Sequence, residues 1–306
     1  MSGVSDSDAR PVPPLTQPTA GAAHGAGMPT VRNHGWPTDV LAVRQGVSHA
    51  AWLAGIGLAA RWGSRLSGCR LPAEPTGHSH EPTVLALLER VDEPHESAAD
   101  ATSFARLALA GGVTRADWVS CRDSLAETLH RLGAWHDLVI LARDAFVGDD
   151  PFEHFGQALL GCRMPCLLLP TDSADRSGLF PRVAIGWNGS IEATRAMHAA
   201  LPFLHAAEHV TLIDGARAPS TDDTDEPAPD FDPMRYLARH GIAAHRKTLR
   251  TTPSHAGEAL LAATVHDRSD LLVMGGYSHS PVRERILGGA TRHVLAHAPL
   301  AVLMRH

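Results

Sequence analysis

The sequence predicts an α/β protein made of two doubly wound, parallel, five-stranded sheets, one in each half of the chain. Three observations carry that expectation. Apolar runs rich in Val, Leu and Ile alternate with segments of helical periodicity, and the runs show no polar alternation, as expected of strands buried on both faces. The same succession of segments occurs twice. Matched segments also keep a nearly constant offset, Asp270 lying 133 positions after Asp137 and Pro299 134 after Pro165.

The elements follow in order. In the first half, "DVLAV" (Asp39–Val43) is a short buried strand, and "SHAAWLAGIGLAARWGSRL" is an Ala/Leu-rich helix with an apolar face. The GxG-like run "GIGLAARWG" falls inside that helix instead of at a strand-to-helix turn, so it is not a dinucleotide fingerprint. "HDLVIL" (His136–Leu141) and "RMPCLLLP" (Arg163–Pro170) supply later strands.

In the second half the expected order begins with strand 182–186, helix 191–205 and strand 209–213. Helix 232–240, strand 243–249, helix 255–266, strand 270–274, helix 291–297 and strand 300–304 complete it. Ser190 is placed to N-cap the first of these helices, with Glu192 in its first turn where the helix dipole favours an acid. Right-handed crossovers then give a doubly wound sheet, whose ligands sit beyond the carboxyl ends of the strands at the switch point.

Domain boundaries follow from composition. Residues 1–35 are rich in Ala, Gly, Pro and Ser and read as a disordered leader, with Met28 an alternative start. Residues 36–170 form the first domain, 171–179 a polar linker and 180–306 the second domain. The stretch "PSTDDTDEPAPD" (Pro219–Asp230) reads as a solvated acidic loop.

The formal charge of −6 over 306 residues argues against a dedicated nucleic-acid binder. No run approaches the roughly 18 apolar residues that suggest a membrane span. Four cysteines make no disulfide framework: Cys69 and Cys121 read as reduced core thiols, and Cys162 and Cys166 are spaced CxxxC, unlike redox or zinc CxxC sites. The expectation is a soluble, cytoplasmic protein.

The stretch "MGGYSHSPVRERILGGATRH" (Met274–His293) concentrates the candidate chemistry. Gly288 and Gly289 precede a helix starting near Thr291, and backbone N–H groups, the helix dipole and a hydroxyl together suit a phosphate. The same glycines also serve a plain sharp turn. Neither GxxxxGK[ST] nor another standard phosphate signature occurs. "GYSHS" approaches the hydrolase elbow with Ser278 as nucleophile, but Ser280 replaces the closing glycine and Pro281 follows where a helix should start. His293 and His297 share a helix face at i, i+4 spacing without the Glu or third ligand of a zinc site.

On these residues the second half resembles a universal stress protein domain: "RVAIGWNGSIEATRAMHAALPFL", "SDLLVMGGYSHS" and "ILGGATRHVLAHAPLAVLM" match its pieces. Nucleotide-binding members carry Gly, two residues, Gly, nine residues, Gly, then Ser or Thr. Here Gly275, Ser278, Gly288 and Gly289 hold those positions, so one Gly has become Ser and the final hydroxyl residue has become Gly. The resemblance extends through the repeat to residues 36–170, which implies a tandem member of adenine-nucleotide α-hydrolase-like fold packed as an internal pseudo-dimer.

The resemblance further implies a non-catalytic stress-response protein with an adenine-nucleotide (ATP) site in the C-terminal domain, and Mg²⁺ with it if ATP binds. That site would comprise Gly186, Asn188, Asp214, Gly275, Ser278, Gly288, Gly289, Ala290 and Thr291. Asn188 stands where the family holds adenosine with Asp. Asp214 stands at an apolar adenine-lining position, where a carboxylate is costly to desolvate and repels phosphate. The matching loop of the first half, Ala142–Gly161, lacks the glycine pair and carries Asp144, Asp149, Asp150 and Glu153, which implies a scaffold or a partner surface. In the family the last strand often pairs domains, so a homodimer through sheet edges is expected. Alternatives are a scaffold with a decayed site, a slow ATPase and a Ser278 hydrolase.

Overall fold

The computed structural model describes residues 36–45, 48–71, 98–143, 151–162, 164–170, 180–215, 232–276 and 289–306. Four expected features lie outside these residues: the leader, the linker 171–179, the acidic loop 219–230, and Ser278 with Gly288 in the glycine loop. The same holds for Asp144, Asp149, Asp150 and the Glu153 side chain.

The first half runs β1 (Asp39–Arg44), α1 (Ala50–Trp62), β2 (Arg65–Arg70), a helix α2 over 98–110 and β3 (Ala116–Ser120). It continues with α3 (Leu125–Leu132), β4 (Leu138–Ala142), α4 (Pro151–Gly161) and β5 (Cys166–Leu169). The second half repeats the series as β6 (Arg182–Trp187), α5 (Ile191–Ala199), α6 (Leu201–Ala206), β7 (His209–Gly215) and α7 (Pro233–Arg239). Then come β8 (Ala244–Leu249), α8 (Ala256–His266), β9 (Leu271–Gly275), α9 (Gly289–His297) and β10 (Ala301–Arg305). The helix expected over 191–205 is broken at Ala200, because Pro202 has no N–H to donate and its ring crowds the preceding turn.

The two five-stranded sheets are joined edge to edge into one ten-stranded sheet, in the order β3-β2-β1-β4-β5-β10-β9-β6-β7-β8. Pairing is parallel within each half. At the seam β5 and β10 run antiparallel, with Leu168 opposite Val302 and Cys166 opposite Met304. The last strand of each half therefore pairs the halves within one chain and leaves β3 and β8 as the outer edges.

One local device recurs in both halves. Asp137 Oδ2 accepts from the backbone N–H groups of Thr38 and Asp39 at 2.7 and 3.1 Å, and its own N–H donates to Asp39 O. Asp270 Oδ2 accepts from the Arg182 N–H at 2.9 Å, and its N–H donates to Arg182 O. Each aspartate thus fixes the start of its half's first strand against the fourth.

Alternate residues of the strands feed two cores, one per sheet face. The first gathers Val40, Ala42, Leu167, Ile185 and Leu303 with helices α1, α2, α5 and α6. The second gathers Leu41, Val139, Leu168, Leu272 and Val302 with α3, α4, α8 and α9. Both cores cross the seam. Trp62 of α1 meets Phe203 of α6 edge to face at 5.1 Å, a geometry aromatic pairs favour. On the other face Leu159 of α4 approaches Gly276 so closely that a Cβ there would stand 2.8 Å from Leu159 Cδ2.

Candidate functional site

In the second half the strand order reverses between β6 and β9, which pair side by side while their chain connections depart in opposite directions. Such a switch point leaves a crevice beyond the strand ends. Gly186, Asn188, Asp214 and Gly275 lie at the carboxyl ends of β6, β7 and β9, and α5 and α9 begin nearby. The fold therefore brings these four expected residues to one end of one half-sheet.

Each is positioned by local chemistry. Asn188 is exposed, and its Oδ1 accepts from the Ser190 N–H at 3.1 Å, closing the turn that leads into α5. Ser190 Oγ then accepts from the Ala193 N–H at 3.1 Å, the N-cap expected from sequence. Gly275 is glycine for steric reasons: a Cβ would lie 2.6 Å from Ala193 N and 2.7 Å from Glu192 C. The end of β9 and the first turn of α5 are in direct contact there. A Cβ on Gly186 would stand 3.0 Å from Leu260 Cδ2 of α8.

The start of α9 has two faces. Among the described residues a Cβ on Gly289 would meet nothing within 4 Å. Ala290 packs on α8, its Cα 2.7 Å from where a Gly257 Cβ would stand, and Thr291 is only 5% exposed. Thr291 thus sits in the packed side of the helix.

Asp214 faces a different environment from the one its isolated charge suggests. Arg246 Nη2 of β8 lies 3.1 Å from Asp214 Oδ2, and Arg246 Nη1 lies 3.9 Å from Asp232. The guanidinium offsets the carboxylate at the end of β7. Sequence reasoning missed Arg246, although "AHRKTL" carries its signal: two adjacent basic residues in an edge strand, one on each face. On the opposite face Lys247 pairs with Asp267 at 2.9 Å.

The equivalent mouth of the first half is built otherwise. Arg44 and Arg70 end the neighbouring strands β1 and β2 in register, and Asp100 of α2 binds both, at 2.8 and 2.9 Å. The Arg44 guanidinium also lies 5.0 Å from the Trp52 ring centroid, a cation–π contact. Asp100 lies far from its partners in sequence, so no local pattern announces the cluster.

Other candidates resolve into structure. His293 and His297 stack with ring centroids 4.4 Å apart, and His297 Nδ1 lies 2.9 Å from His293 O. Among the described residues no group of three His, Cys, Asp or Glu side chains is placed to hold a metal. Among them, too, no helix is long and apolar enough to cross a membrane. Thr252, Ser254 and His255 form an exposed hydroxyl–imidazole cluster before α8, with contacts of 2.9–3.1 Å.

Comparison with known proteins adds to this geometry. The family model described as the universal stress protein family matches residues 180–306. No curated protein matches the chain. Among solved structures, a universal stress protein from Archaeoglobus fulgidus DSM 4304 is similar with a TM-score of 0.63 at 17% identity, covering 87% of this chain and 95% of that one. A protein from Pseudomonas aeruginosa UCBPP-PA14 gives 0.51 at 14% identity, with 88% and 93% covered. At such identities the likeness concerns the fold, and it spans both halves. By its residue pattern, its strand order and the family match, the segment 180–306 is a domain of the universal stress protein family.

Proposed function

We propose that the chain is a tandem universal stress protein that acts by binding and assembly, with one adenine-nucleotide site at the β6–β9 switch point. The observation that carries this reading is the first turn of α9, where a Cβ on Gly289 would meet nothing within 4 Å among the described residues. Gly289 and the backbone of Ala290 and Thr291 would hold phosphates, with Gly288 and Ser278 of the preceding loop as further contacts. Asn188 would hold the ribose side, and Gly186, Asp214 and Gly275 would border the base and sugar. Mg²⁺ would come with the triphosphate. The Arg44–Asp100–Arg70 cluster occupies the corresponding mouth of the first half, which we read as a degenerate domain serving as scaffold over residues 36–170.

A second reading, a nucleotide-free interaction protein, is favoured by Asp214, a carboxylate engaged by Arg246 where an apolar residue would line a base, and by the burial of Thr291. Any homodimer would use the outer edges β3 and β8, because β5 and β10 already pair with each other. Four free thiols fit a cytoplasmic location.

Thermal melting with ATP, ADP and Mg²⁺ tests the site. Ligand at about 100 times its Kd adds about 2.7 kcal/mol to stability. Gly289→Val adds a side chain whose Cβ meets nothing within 4 Å among the described residues, so the fold should persist while the nucleotide shift disappears. The absence of any shift at millimolar nucleotide in the unmodified chain would leave the interaction-protein reading in place.

A further inference from the structure

We propose that Cys162 and Cys166 form a reversible dithiol–disulfide pair that responds to hydroperoxides. Their Sγ atoms lie 3.9 Å apart, and both thiols point at the same acceptor, Met164 O, at 3.5 and 4.0 Å. The pair joins two elements: Cys162 follows the last turn of α4, and Cys166 opens β5 opposite Met304 at the seam between the halves. A disulfide requires S–S near 2.05 Å, so its formation brings the two sulfurs closer than they stand here. The CxxxC spacing hides this in the sequence, because the chain leaves a helix and enters a strand between the two residues.

The chemistry divides the roles. Hydrogen bonding to Cys166, then to the Met164 backbone, and the charge of Arg305 lower the Cys162 thiol below its ordinary range despite burial. Burial, followed by the Cys162 contact, pushes Cys166 well up. Cys162 is therefore the attacking thiolate. It displaces hydroxide from the peroxide and becomes a sulfenic acid. The Cys166 sulfur then attacks the Cys162 sulfur, its proton leaves with the hydroxyl as water, and the S–S bond forms. Two thiols are oxidised and one peroxide is reduced to two waters. Closure draws the end of α4 toward β5, and α4 carries the Leu159 that abuts Gly276 of the second half.

Peptide mapping of the full chain after stoichiometric hydrogen peroxide and quenching with iodoacetamide tests this. The expected product is an intramolecular Cys162–Cys166 crosslinked peptide, two hydrogens lighter than its parts, which dithiothreitol abolishes. It should form equally in Cys121→Ser, which removes the more exposed thiol. Either Cys162→Ser or Cys166→Ser should prevent it. The proposal is overturned if Cys162 is recovered as sulfinic acid beside reduced Cys166. It is equally overturned if either residue crosslinks to Cys69, Cys121 or a second chain, or if both remain reduced at peroxide levels that oxidise Cys121.

Discussion

The two strand-end mouths of this molecule share a frame and differ in what stands at its corners. Arg44 and Arg70 occupy the register positions that Trp187 and Asp214 occupy in the second half. By the same alignment of registers, Ala142 matches Gly275, and Gln45 matches Asn188. One mouth holds two arginines bridged by one carboxylate; the other, among the described residues, holds one arginine between the carboxylates of Asp214 and Asp232. The fold alone therefore does not determine a ligand site. A few side chains at the strand ends decide which charges meet there.

Breaking the first-half mouth should cost the most. Asp100 is 14% exposed and Arg44 11%, so Asp100→Ala leaves guanidinium charge in a largely desolvated place. Removing one partner of a buried pair costs about 3 kcal/mol or more. The symmetric change at the second-half mouth, Asp214→Ala, removes a carboxylate that is 25% exposed from an arginine that is 43% exposed. Such pairs contribute about 0–1 kcal/mol. Urea unfolding of the two variants measures the contrast directly. Equal losses would mean that the two ion clusters are energetically alike and that the difference between the two mouths is only geometric.

The second test moves one residue between the halves. Gly275→Ala gives the second half the side chain that Ala142 already carries in the first. Its Cβ would press on the backbone of Glu192 and Ala193, which cannot yield as a side-chain end could. Overpacking of this kind costs about 2 kcal/mol. The reciprocal Ala142→Gly meets no such contact and should cost about 1 kcal/mol or less, as glycine does in a strand. If Gly275→Ala were neutral, α5 would have room to shift, and the close strand–helix contact would not define the mouth.

Much of this was legible in the sequence, and the reasons differ by element. The repeat, the strand order of the second half and the Ser190 cap were readable because they rest on period, composition and short-range hydrogen bonding. The break at Ala200 was also within reach, since Pro202 stands in plain sight inside the apolar pattern. The ten-stranded continuity was not: "CLLL" and "AVLMR" read as buried strands, but nothing local says that they pair with each other antiparallel. The ion pairs that define both mouths were hidden for a related cause. Asp100 and Arg246 reach their partners only through tertiary placement, so Asp214 looked like an isolated charge until Arg246 was found beside it. Gly275 was expected beside a ligand, whereas the contact that requires glycine there is with the first turn of α5, which no local pattern announces.

The smallest expected effect concerns stability hardly at all, yet it separates the halves chemically. The strand registers place Cys69 where the second half has Ile213, and Cys121, one residue beyond the end of the β2–β3 pairing, corresponds to Leu249. The second core accepts both pairs, which shows that a thiol serves there as a small apolar side chain. Cys121 nevertheless differs from a hydrocarbon. Hydrogen bonding to Cys69, and then the positive charge of Arg131, draw its thiol down to about 7, against a desolvation that opposes ionisation. Cys69, fully buried, is driven well up by the same contact and by burial. The sign follows from these directions: as pH rises through about 7 the Cys121 thiolate accumulates, while Cys69 stays protonated throughout. Iodoacetamide labelling from pH 5 to 9 should therefore show Cys121 reactivity rising with a midpoint near 7, and Cys69 unreactive until the chain is unfolded. Replacing the first-half pair by Ile at 69 and Leu at 121 should remove that wave and leave the fold intact, because the second half already packs those side chains at the same register. A labelling midpoint at the ordinary thiol value, about 8.5, would mean that Cys69 does not share its hydrogen bond with Cys121 in solution.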